Sequence, residues 1–125
     1  MSKEYTALGL MSGTSGDGVD ASIIKSDGKS KFDIITDKYF EYNEEIFKEI
    51  HGLKEKIHKT KDLKIFSNEI NSLEKNITLF HAKIIKEISK NNEFDLVGFH
   101  GQTIYHNSIE KISKQLGDGK LLAQL

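Results

Sequence analysis

Residues 5–26 decide the fold of this chain and read YTALGLMSGTSGDGVDASIIKS. The first part, Tyr5–Met11, is short and mostly apolar, which is typical of a buried strand. Glycine, serine, threonine and aspartate make up Ser12–Gly18, so the chain is expected to turn there. In the last part, Val19–Ser26, apolar and polar residues alternate imperfectly, as in a strand with one buried face. This stretch therefore predicts two strands joined by a glycine-rich turn.

A third strand is expected to extend this hairpin. Asp17-Gly18 is a favoured pair for the turn between the first two strands, because glycine adopts positive φ without steric cost and aspartate tolerates it. Phe32–Tyr42 is rich in aromatic and β-branched residues, which favour strands, and a second turn cluster precedes it. The opening of the chain is thus predicted to be a three-stranded antiparallel meander. The buried face of its second strand would carry Val19, Ala21 and Ile23.

The middle of the chain changes to helical periodicity. Asn43 can cap a first helix through its side-chain oxygen, and Thr60 can cap a second. Apolar residues of the second helix recur mainly at spacings of three and four, which is the clearest periodic signal in the sequence. Core packing explains this stripe better than a coiled coil, because no strong pattern of flanking charges accompanies it. The helix stripe consists of Leu63, Phe66, Ile70, Leu73, Ile77, Phe80, Ile84 and Ile88.

A short apolar strand is expected after the helices. Asn91-Asn92 breaks the helical pattern, and Phe94–Phe99 reads FDLVGF. A strand that follows a helix is expected to cross over and join the existing sheet. The predicted fold class is therefore α/β, with an antiparallel meander, two helices and then a parallel strand.

Composition excludes several classes of function. The sequence contains no cysteine, which rules out disulfides, thiolate zinc sites and iron–sulfur clusters and fits a reducing cytoplasm. Its 18 basic and 19 acidic residues nearly cancel, so no bulk charge favours nucleic acid or an anionic membrane. No apolar run approaches the ~20 residues that span a bilayer, and no signal peptide is recognised. We expect a cytoplasmic protein without nucleic-acid or membrane partners.

The glycine-rich segment Gly9–Gly18 is the first candidate for ligand chemistry. Glycines let the backbone approach a phosphate, and successive amide N–H groups can cradle it. The segment is not a Walker A loop, which needs Gly-Lys-Ser/Thr, nor a dinucleotide-binding fingerprint, which needs another spacing and a following helix. What remains is a strand–loop–strand hairpin of the kind that holds phosphates in actin-like ATPases and sugar kinases. An ordinary hairpin turn is the alternative.

Two later segments offer further polar groups. His100-Gly101-Gln102-Thr103 directly follows a predicted strand, and ligands of open α/β sheets bind beyond the carboxyl ends of strands. Glutamine and threonine can bond sugar hydroxyls, and histidine can bond or transfer protons, but a polar surface turn is the alternative. Gln115–Asp118 could place an acid beside a loop, although a solvated turn is the simpler explanation. The other histidines have spacings unlike any metal-ligand set: His51, His58, His81 and His106.

Three of these segments, in this order, resemble the signatures of the anhydro-N-acetylmuramic acid kinase family. Leu8–Asp20 (LGLMSGTSGDGVD) resembles the opening signature, usually G-x-M-S-G-T-S-L-D-G-x-D. Val97–His106 (VGFHGQTIYH) resembles the second signature, G-x-H-G-Q-T followed by two residues and His. Gln115–Asp118 (QLGD) resembles the Q-I-G-D that comes next. One departure is Gly16, which replaces the family's usual leucine and is expected to loosen the loop and remove an apolar anchor.

The resemblance implies a fold, a reaction and a set of binding residues. Residues 1–125 would be the N-terminal part of an actin-like, ribonuclease H-like ATPase or sugar-kinase domain. The family converts 1,6-anhydro-N-acetylmuramic acid, water and Mg-ATP to N-acetylmuramic acid 6-phosphate in the recycling of cell-wall sugars, so ATP and Mg²⁺ are the implied cofactors. The residues implied to hold ATP are Gly13, Thr14, Ser15, Gly16, Asp17, Gly18, Val19 and Asp20. Those implied on the sugar side are His100, Gly101, Gln102, Thr103 and Asp118.

The resemblance also implies what residues 1–125 lack. The family's catalytic aspartate belongs to a later Gly-Asp-Thr-Gly-Pro-Gly-like motif that nothing in this sequence matches. A fifth strand, the adenine-binding region and a second domain would also follow, or a second chain would supply them. We therefore expect no catalytic residue in this part and no activity from it alone. The alternatives are a non-catalytic remnant and a small interaction protein that uses the helix stripe or an open sheet edge.

Overall fold

The structure is a computed structural model, and its first three elements are strands. They are β1 (Tyr5–Ser12), β2 (Gly18–Ser26) and β3 (Phe32–Glu41). β2 pairs antiparallel with both β1 and β3, so the predicted meander is confirmed. The structure describes residues 5–13, 15–27, 32–99, 101–107, 109 and 112–124.

The first predicted helix is confirmed, together with its cap. It is α1 (Glu44–Lys56), and the side-chain oxygen of Asn43 accepts the N–H of Ile46 at 2.9 Å. Two acidic residues in its first turn and basic residues in its last turn complement the helix dipole. Asn43 thus begins α1 directly after β3.

The second predicted helix is two helices, α2 (Asp62–Ile65) and α3 (Ser67–Ser89), because the backbone leaves helical geometry at Phe66 (φ −100°, ψ 22°). The prediction that Thr60 caps it is wrong, since the hydroxyl of Thr60 bonds that of Tyr105 at 3.1 Å. Instead, the Asp62 carboxylate accepts two backbone N–H groups of the preceding turn, at 2.9 and 3.0 Å. These bonds hold the turn before α2 without a threonine cap.

The strand after the helices, β4 (Leu96–Phe99), pairs parallel with β1. It completes a four-stranded sheet in the order β3-β2-β1-β4. The predicted α/β fold class, with a parallel strand that joins an antiparallel meander, is confirmed. β4 lies at one edge of this sheet as far as the structure describes the chain, so that edge is open to further pairing.

The remaining elements form a small unit beyond β4. β5 (Gln102–Asn107) and β6 (Ile112–Leu116) pair antiparallel in a separate two-stranded sheet, and α4 (Gly119–Gln124) follows. The sequence predicts no strand here: it offers two polar candidate ligand segments, with surface turns as the alternative. The interpretation of Gln102 as part of a surface turn is wrong, because Gln102 begins β5 and is fully buried.

The core lies between one face of the larger sheet and α1 and α3. Val19, Ala21 and Ile23 of β2 are buried there, as their alternation predicts. The helix stripe faces the same core, which excludes it as a docking surface for another protein. Its buried members are Ile70, Leu73, Ile77, Ile84 and Ile88.

The opposite face of the larger sheet carries exposed apolar side chains. The strand register places Met11, Ile34, Tyr39 and Leu96 on this face, and each is more than half exposed.

Across the described residues, no helix is both long and apolar enough to cross a membrane.

Candidate functional site

The glycine-rich loop joins β1 to β2 at one edge of the sheet. Gly16 has a φ of 72°, and its N–H donates to the carbonyl of Gly13 at 3.3 Å, which closes the turn. The prediction of Asp17-Gly18 as the turn pair is wrong, because Gly18 is already the first residue of β2. Gly18 is needed for another reason: a Cβ there would collide with the carbonyl oxygen of Phe40 in the adjacent strand. Thr14 lies outside the described residues.

Gly16 is the point where this loop meets α1. A Cβ at Gly16 would lie 2.9 Å from Cγ2 of Ile50 and 3.4 Å from Nε2 of His51. That His51 nitrogen is buried and has no hydrogen-bond partner in the described part of the chain. A leucine therefore has no room on this side without movement of α1 or the loop. The expectation that Gly16 loosens the loop stays a prediction.

The segments that follow β1 and β4 meet, as expected for parallel neighbours whose carboxyl ends share one sheet edge. The side-chain amide of Gln102 donates to the carbonyl of Gly13 at 2.8 Å and to that of Thr103 at 3.2 Å. Gly101, just before it, is buried with a φ of 84°. His100 lies outside the described residues. The first and second signatures are therefore joined directly.

Tyr42 completes this junction, although sequence analysis assigns it no role. Its hydroxyl donates to Oε1 of Gln102 at 3.0 Å and lies 3.1 Å from Oγ of Ser12. A phenol has one proton, so Ser12 is the donor in the second bond. The backbone N–H of Tyr42 also donates to the carbonyl of Asp17 at 3.0 Å. The only sequence signal at Tyr42 is its place at the end of a predicted strand rich in aromatic residues. That signal predicts burial and does not predict a role in the site.

Burial also sets the protonation state of Tyr42. Desolvation raises the pKa of Tyr42 to about 12, although the hydrogen bond from Ser12 opposes that shift. Its ring lies 5.1 Å from that of Phe80, measured between centroids. The phenol therefore stays neutral at physiological pH and can donate to Gln102.

The third segment, Gly117-Asp118, is held by side chains of α3. A carboxylate oxygen of Glu74 accepts the N–H of Gly117 at 3.1 Å, and Oγ1 of Thr78 accepts the N–H of Asp118 at 3.0 Å. Thr78 is fully buried and donates its own proton to the carbonyl of Glu74 at 2.8 Å. The Asp118 carboxylate accepts the N–H of Leu121 at 3.0 Å, in the first turn of α4. The predicted solvated turn is thus a half-buried turn fastened to a helix.

Gly101 brings this third segment against the second. A Cβ at Gly101 would lie 2.6 Å from the carbonyl oxygen of Leu116, and one at Gly117 would lie 2.6 Å from Cζ of Phe99. The Phe99 ring in turn packs edge-on against His81, with centroids 4.8 Å apart. Burial lowers the pKa of His81, although a hydrogen bond with the carbonyl of Ile77 opposes that shift. All three segments therefore lie together at one end of the sheet.

The exposed groups of the glycine-rich loop fit a magnesium nucleotide. Gly13, Ser15 and Asp17 are exposed, so a hydroxyl, a carboxylate and open backbone face solvent. Mg²⁺ in nucleotide sites is bound by one or two carboxylates together with phosphate oxygens, so a dedicated protein cage is not needed. Among the described residues, no three histidine or acidic side chains come together as a metal site.

The last two residues of the first signature differ in exposure. Val19 is fully buried in the core, so its side chain supports the sheet. Asp20 is exposed on the other face of β2. A hydrogen bond with the Asp37 carboxyl raises the pKa of Asp20, and desolvation and the Asp37 charge add to the effect. The polar surroundings of Asp20 therefore include Asp37 of β3 and are not limited to the loop.

The chain is similar to known proteins along almost all of its length. The model of the family described as anhydro-N-acetylmuramic acid kinase matches residues 5–125. A relative from Pelagibacter ubique (strain HTCC1062), described as anhydro-N-acetylmuramic acid kinase, is 62% identical over 100% of this chain and 34% of its own length. One of the same description from Agrobacterium fabrum (strain C58 / ATCC 33970) is 34% identical over 99% of this chain and 35% of its own length.

A third relative of that description, from Rhodopseudomonas palustris (strain ATCC BAA-98 / CGA009), is 36% identical over 95% of this chain and 34% of its own length. The chain thus spans about a third of the length of these curated relatives. Its mixed sheet and helices are consistent with an incomplete actin-like domain. On the match of the family model to residues 5–125, the chain belongs to the anhydro-N-acetylmuramic acid kinase family.

Proposed function

We propose that residues 1–125 are the N-terminal part of an ATP-dependent kinase in the cytoplasm. The whole enzyme would open 1,6-anhydro-N-acetylmuramic acid with water and phosphorylate its O6, in the recycling of cell-wall sugars. One observation carries this proposal beyond family membership: the 2.8 Å hydrogen bond from Gln102 to the carbonyl of Gly13. It unites the two signatures that the family's chemistry would need in one place.

The glycine-rich loop supplies the nucleotide side of the proposed site, through residues Gly13 to Asp20. Its exposed backbone can approach the phosphates closely, and the hydroxyl of Ser15 can donate to a phosphate oxygen. The exposed carboxylate of Asp17 can bind Mg²⁺. When bound, ATP supplies the phosphoryl group, and its Mg²⁺ neutralises the charge that develops during transfer. The protein's share is to fix these groups in position.

The second and third segments supply the sugar side, through His100, Gly101, Gln102, Thr103 and Asp118. Glycine at position 101 lets this segment pack against the backbone of Leu116, and Thr103 is half-buried. Asp118 is half-buried too, and its bond to Leu121 fixes the direction of its carboxylate. His100, Thr103 and Asp118 are residue types that can bond sugar hydroxyls, whereas Gln102 is fully buried and supports this side through its bond to the loop.

Turnover would need the remainder of the enzyme. Activation of water requires a general base, and transition-state stabilisation requires a preorganised site from which water is excluded. In this proposal both come from the part of the enzyme that corresponds to the rest of the relatives' length, on the same chain or on a second one. Residues 1–125 would bind Mg-ATP but transfer no phosphate.

Isothermal titration calorimetry with Mg-ATP and with AMP tests the nucleotide side. We expect Mg-ATP to bind more tightly, because AMP lacks the phosphates that the loop would hold. Asp17→Asn should weaken Mg-ATP binding by about tenfold or more, the range of one lost charged contact. Asp33→Asn, at the far end of β3, is the matched control and should leave affinity unchanged.

A phosphotransfer assay with the anhydro sugar completes this test. Equal affinity for AMP and Mg-ATP, or no affinity for either, would contradict the proposed nucleotide site. Formation of the phosphorylated sugar by residues 1–125 alone would contradict the proposal that the site is incomplete.

A further inference from the structure

Four hydrogen-bonding groups around the glycine-rich loop form a closed circuit. Ser12 donates to Tyr42, Tyr42 donates to Oε1 of Gln102, and Nε2 of Gln102 donates to the carbonyl of Gly13. Ser12 and Gly13 are neighbours, so the circuit begins and ends at adjacent residues. Its side chains are buried, with 6% of Ser12, 7% of Tyr42 and none of Gln102 exposed. Such buried, fully paired polar groups specify one arrangement, because any other leaves a polar atom unpaired.

The circuit restrains a loop whose glycines give its backbone wide conformational freedom. Glycine loses more backbone entropy on ordering than any other residue, and this loop contains Gly13 and Gly16. Gln102 fixes the carbonyl of Gly13, which also accepts the N–H of Gly16. The backbone of Tyr42 fixes the carbonyl of Asp17, near the other end of the loop. Tyr42 and Gln102 therefore hold the loop from both ends.

We propose that Tyr42 and Gln102 are positioning residues that hold Gly13–Asp17 in its ligand-receiving conformation. Both amide atoms of Gln102 are used inside the protein, so Gln102 acts through the loop and does not touch the sugar. The inference rests on the proposed function for the identity of the ligand, Mg-ATP. Because the loop becomes ordered when the protein folds, binding of the ligand does not carry the entropic cost of ordering it.

Amide hydrogen exchange measured by NMR tests the restraint without any ligand. Tyr42→Phe removes only the phenolic oxygen, and Gln102→Leu removes both amide atoms at similar size. We expect exchange at positions 16 and 42 to quicken by about tenfold in each variant, the equivalent of one lost buried hydrogen bond. Exchange within α3 should stay as in the parent, which shows that the core is intact.

Tyr105→Phe is the matched control. It also removes a tyrosine hydroxyl that bonds a hydroxyl at 3.1 Å, but its partner is Thr60, away from the loop. We expect it to leave exchange at positions 16 and 42 unchanged. Unchanged exchange at these positions in Tyr42→Phe and Gln102→Leu would overturn the inference. So would an equal rise throughout the core, because the two residues would then be merely structural.

Titration of the same samples with Mg-ATP links the restraint to binding. Each variant should bind about fivefold to tenfold more weakly than the parent, and the double variant no more weakly than either. Parental affinity in a variant whose loop exchanges faster would overturn the positioning role. If the parent itself binds no Mg-ATP, the proposed function fails, while the exchange measurement still decides whether the two residues hold the loop.

Discussion

The glycine-rich loop and the Gly117-Asp118 turn lie at the same end of the sheet but are held in different ways. Tyr42 and Gln102 fasten the first through carbonyl oxygens of its backbone. Two side chains of α3 fasten the second through its N–H groups. Restraint of the first loop leaves Ser15 and Asp17 exposed, whereas Asp118 turns its carboxylate to α4.

This difference separates the residues that hold a site from those that face a ligand. The exposed groups of the first loop are available for phosphate and Mg²⁺. In the turn, by contrast, the acid that resembles a family signature already has a structural partner in Leu121. Apart from Gln102, the groups that fix the two segments lie outside the signatures, at Tyr42, Glu74 and Thr78.

The largest effect is expected where the turn meets the second signature. Gly101→Ala forces a side chain onto a φ of 84° and places a Cβ 2.6 Å from the backbone oxygen of Leu116. The conformation alone costs about 1–2 kcal/mol, and the clash with backbone should bring the loss of unfolding free energy above about 3 kcal/mol. Urea unfolding measures this loss.

Gly52→Ala is the control for that substitution. Position 52 lies within α1, and a Cβ there meets nothing within 4 Å. Alanine should therefore stabilise the protein by about 0.5–1 kcal/mol, the helix preference over glycine. An unfolding midpoint of Gly101→Ala equal to that of the parent would show that the turn is not packed as described.

A smaller effect should follow from loosening the turn at α3. Thr78→Val keeps the shape of a fully buried side chain but leaves the N–H of Asp118 without its acceptor. One buried unpaired donor costs about 1–3 kcal/mol of unfolding free energy. Amide exchange should quicken at Asp118 and remain parental at Gly16, because the two loops have separate restraints. Equal quickening at both positions would break the comparison between them.

The smallest effect is a pH dependence centred on His81, whose ring supports Phe99 beneath the turn. Burial lowers the pKa of His81 below its ordinary value of 6.5, so the unfolded chain takes up a proton at a higher pH than the folded one. Its contribution to stability is therefore complete above pH 6.5 and decreases as pH falls through 6.5 towards the folded pKa.

Unfolding in urea at pH 7.5 and 5.5 measures this dependence. His81→Gln should lose much of the difference between the two values, whereas His106→Gln, at an exposed position, should keep it. The same difference in His81→Gln as in the parent would assign the pH dependence to other groups.

Local patterns predicted most of the fold. The alternation of Val19–Ser26, the cap at Asn43 and the helix stripe each depend on neighbours in sequence, and the structure confirms them. β5 and β6 were beyond prediction, because they are defined by pairing with each other, by contact of β5 with α1 and by contact of β6 with α3, rather than by their own polar residues. Thr60 was misassigned because its hydroxyl bonds that of Tyr105, a contact that only tertiary packing creates.

Motif spacing predicts which segments make up the candidate site but not the contacts that join them. Motif spacing identifies the exposed loop and the segment after β4. It cannot reveal that Gln102 bonds Gly13 across 89 positions, or that Tyr42 lies between them, because tertiary packing alone brings these groups together.

The most direct test of the central claim, that the two signatures form one site, is a proton–nitrogen correlation NMR spectrum recorded with and without Mg-ATP. We expect the shifts to concentrate at Gly13–Asp20, with smaller ones at Gly101–Thr103, because Gln102 connects the two segments. An unresponsive spectrum would contradict the claim. So would shifts confined to the groove between α1 and α3 that Lys48, Lys56 and Asn68 line, because that groove contains neither signature.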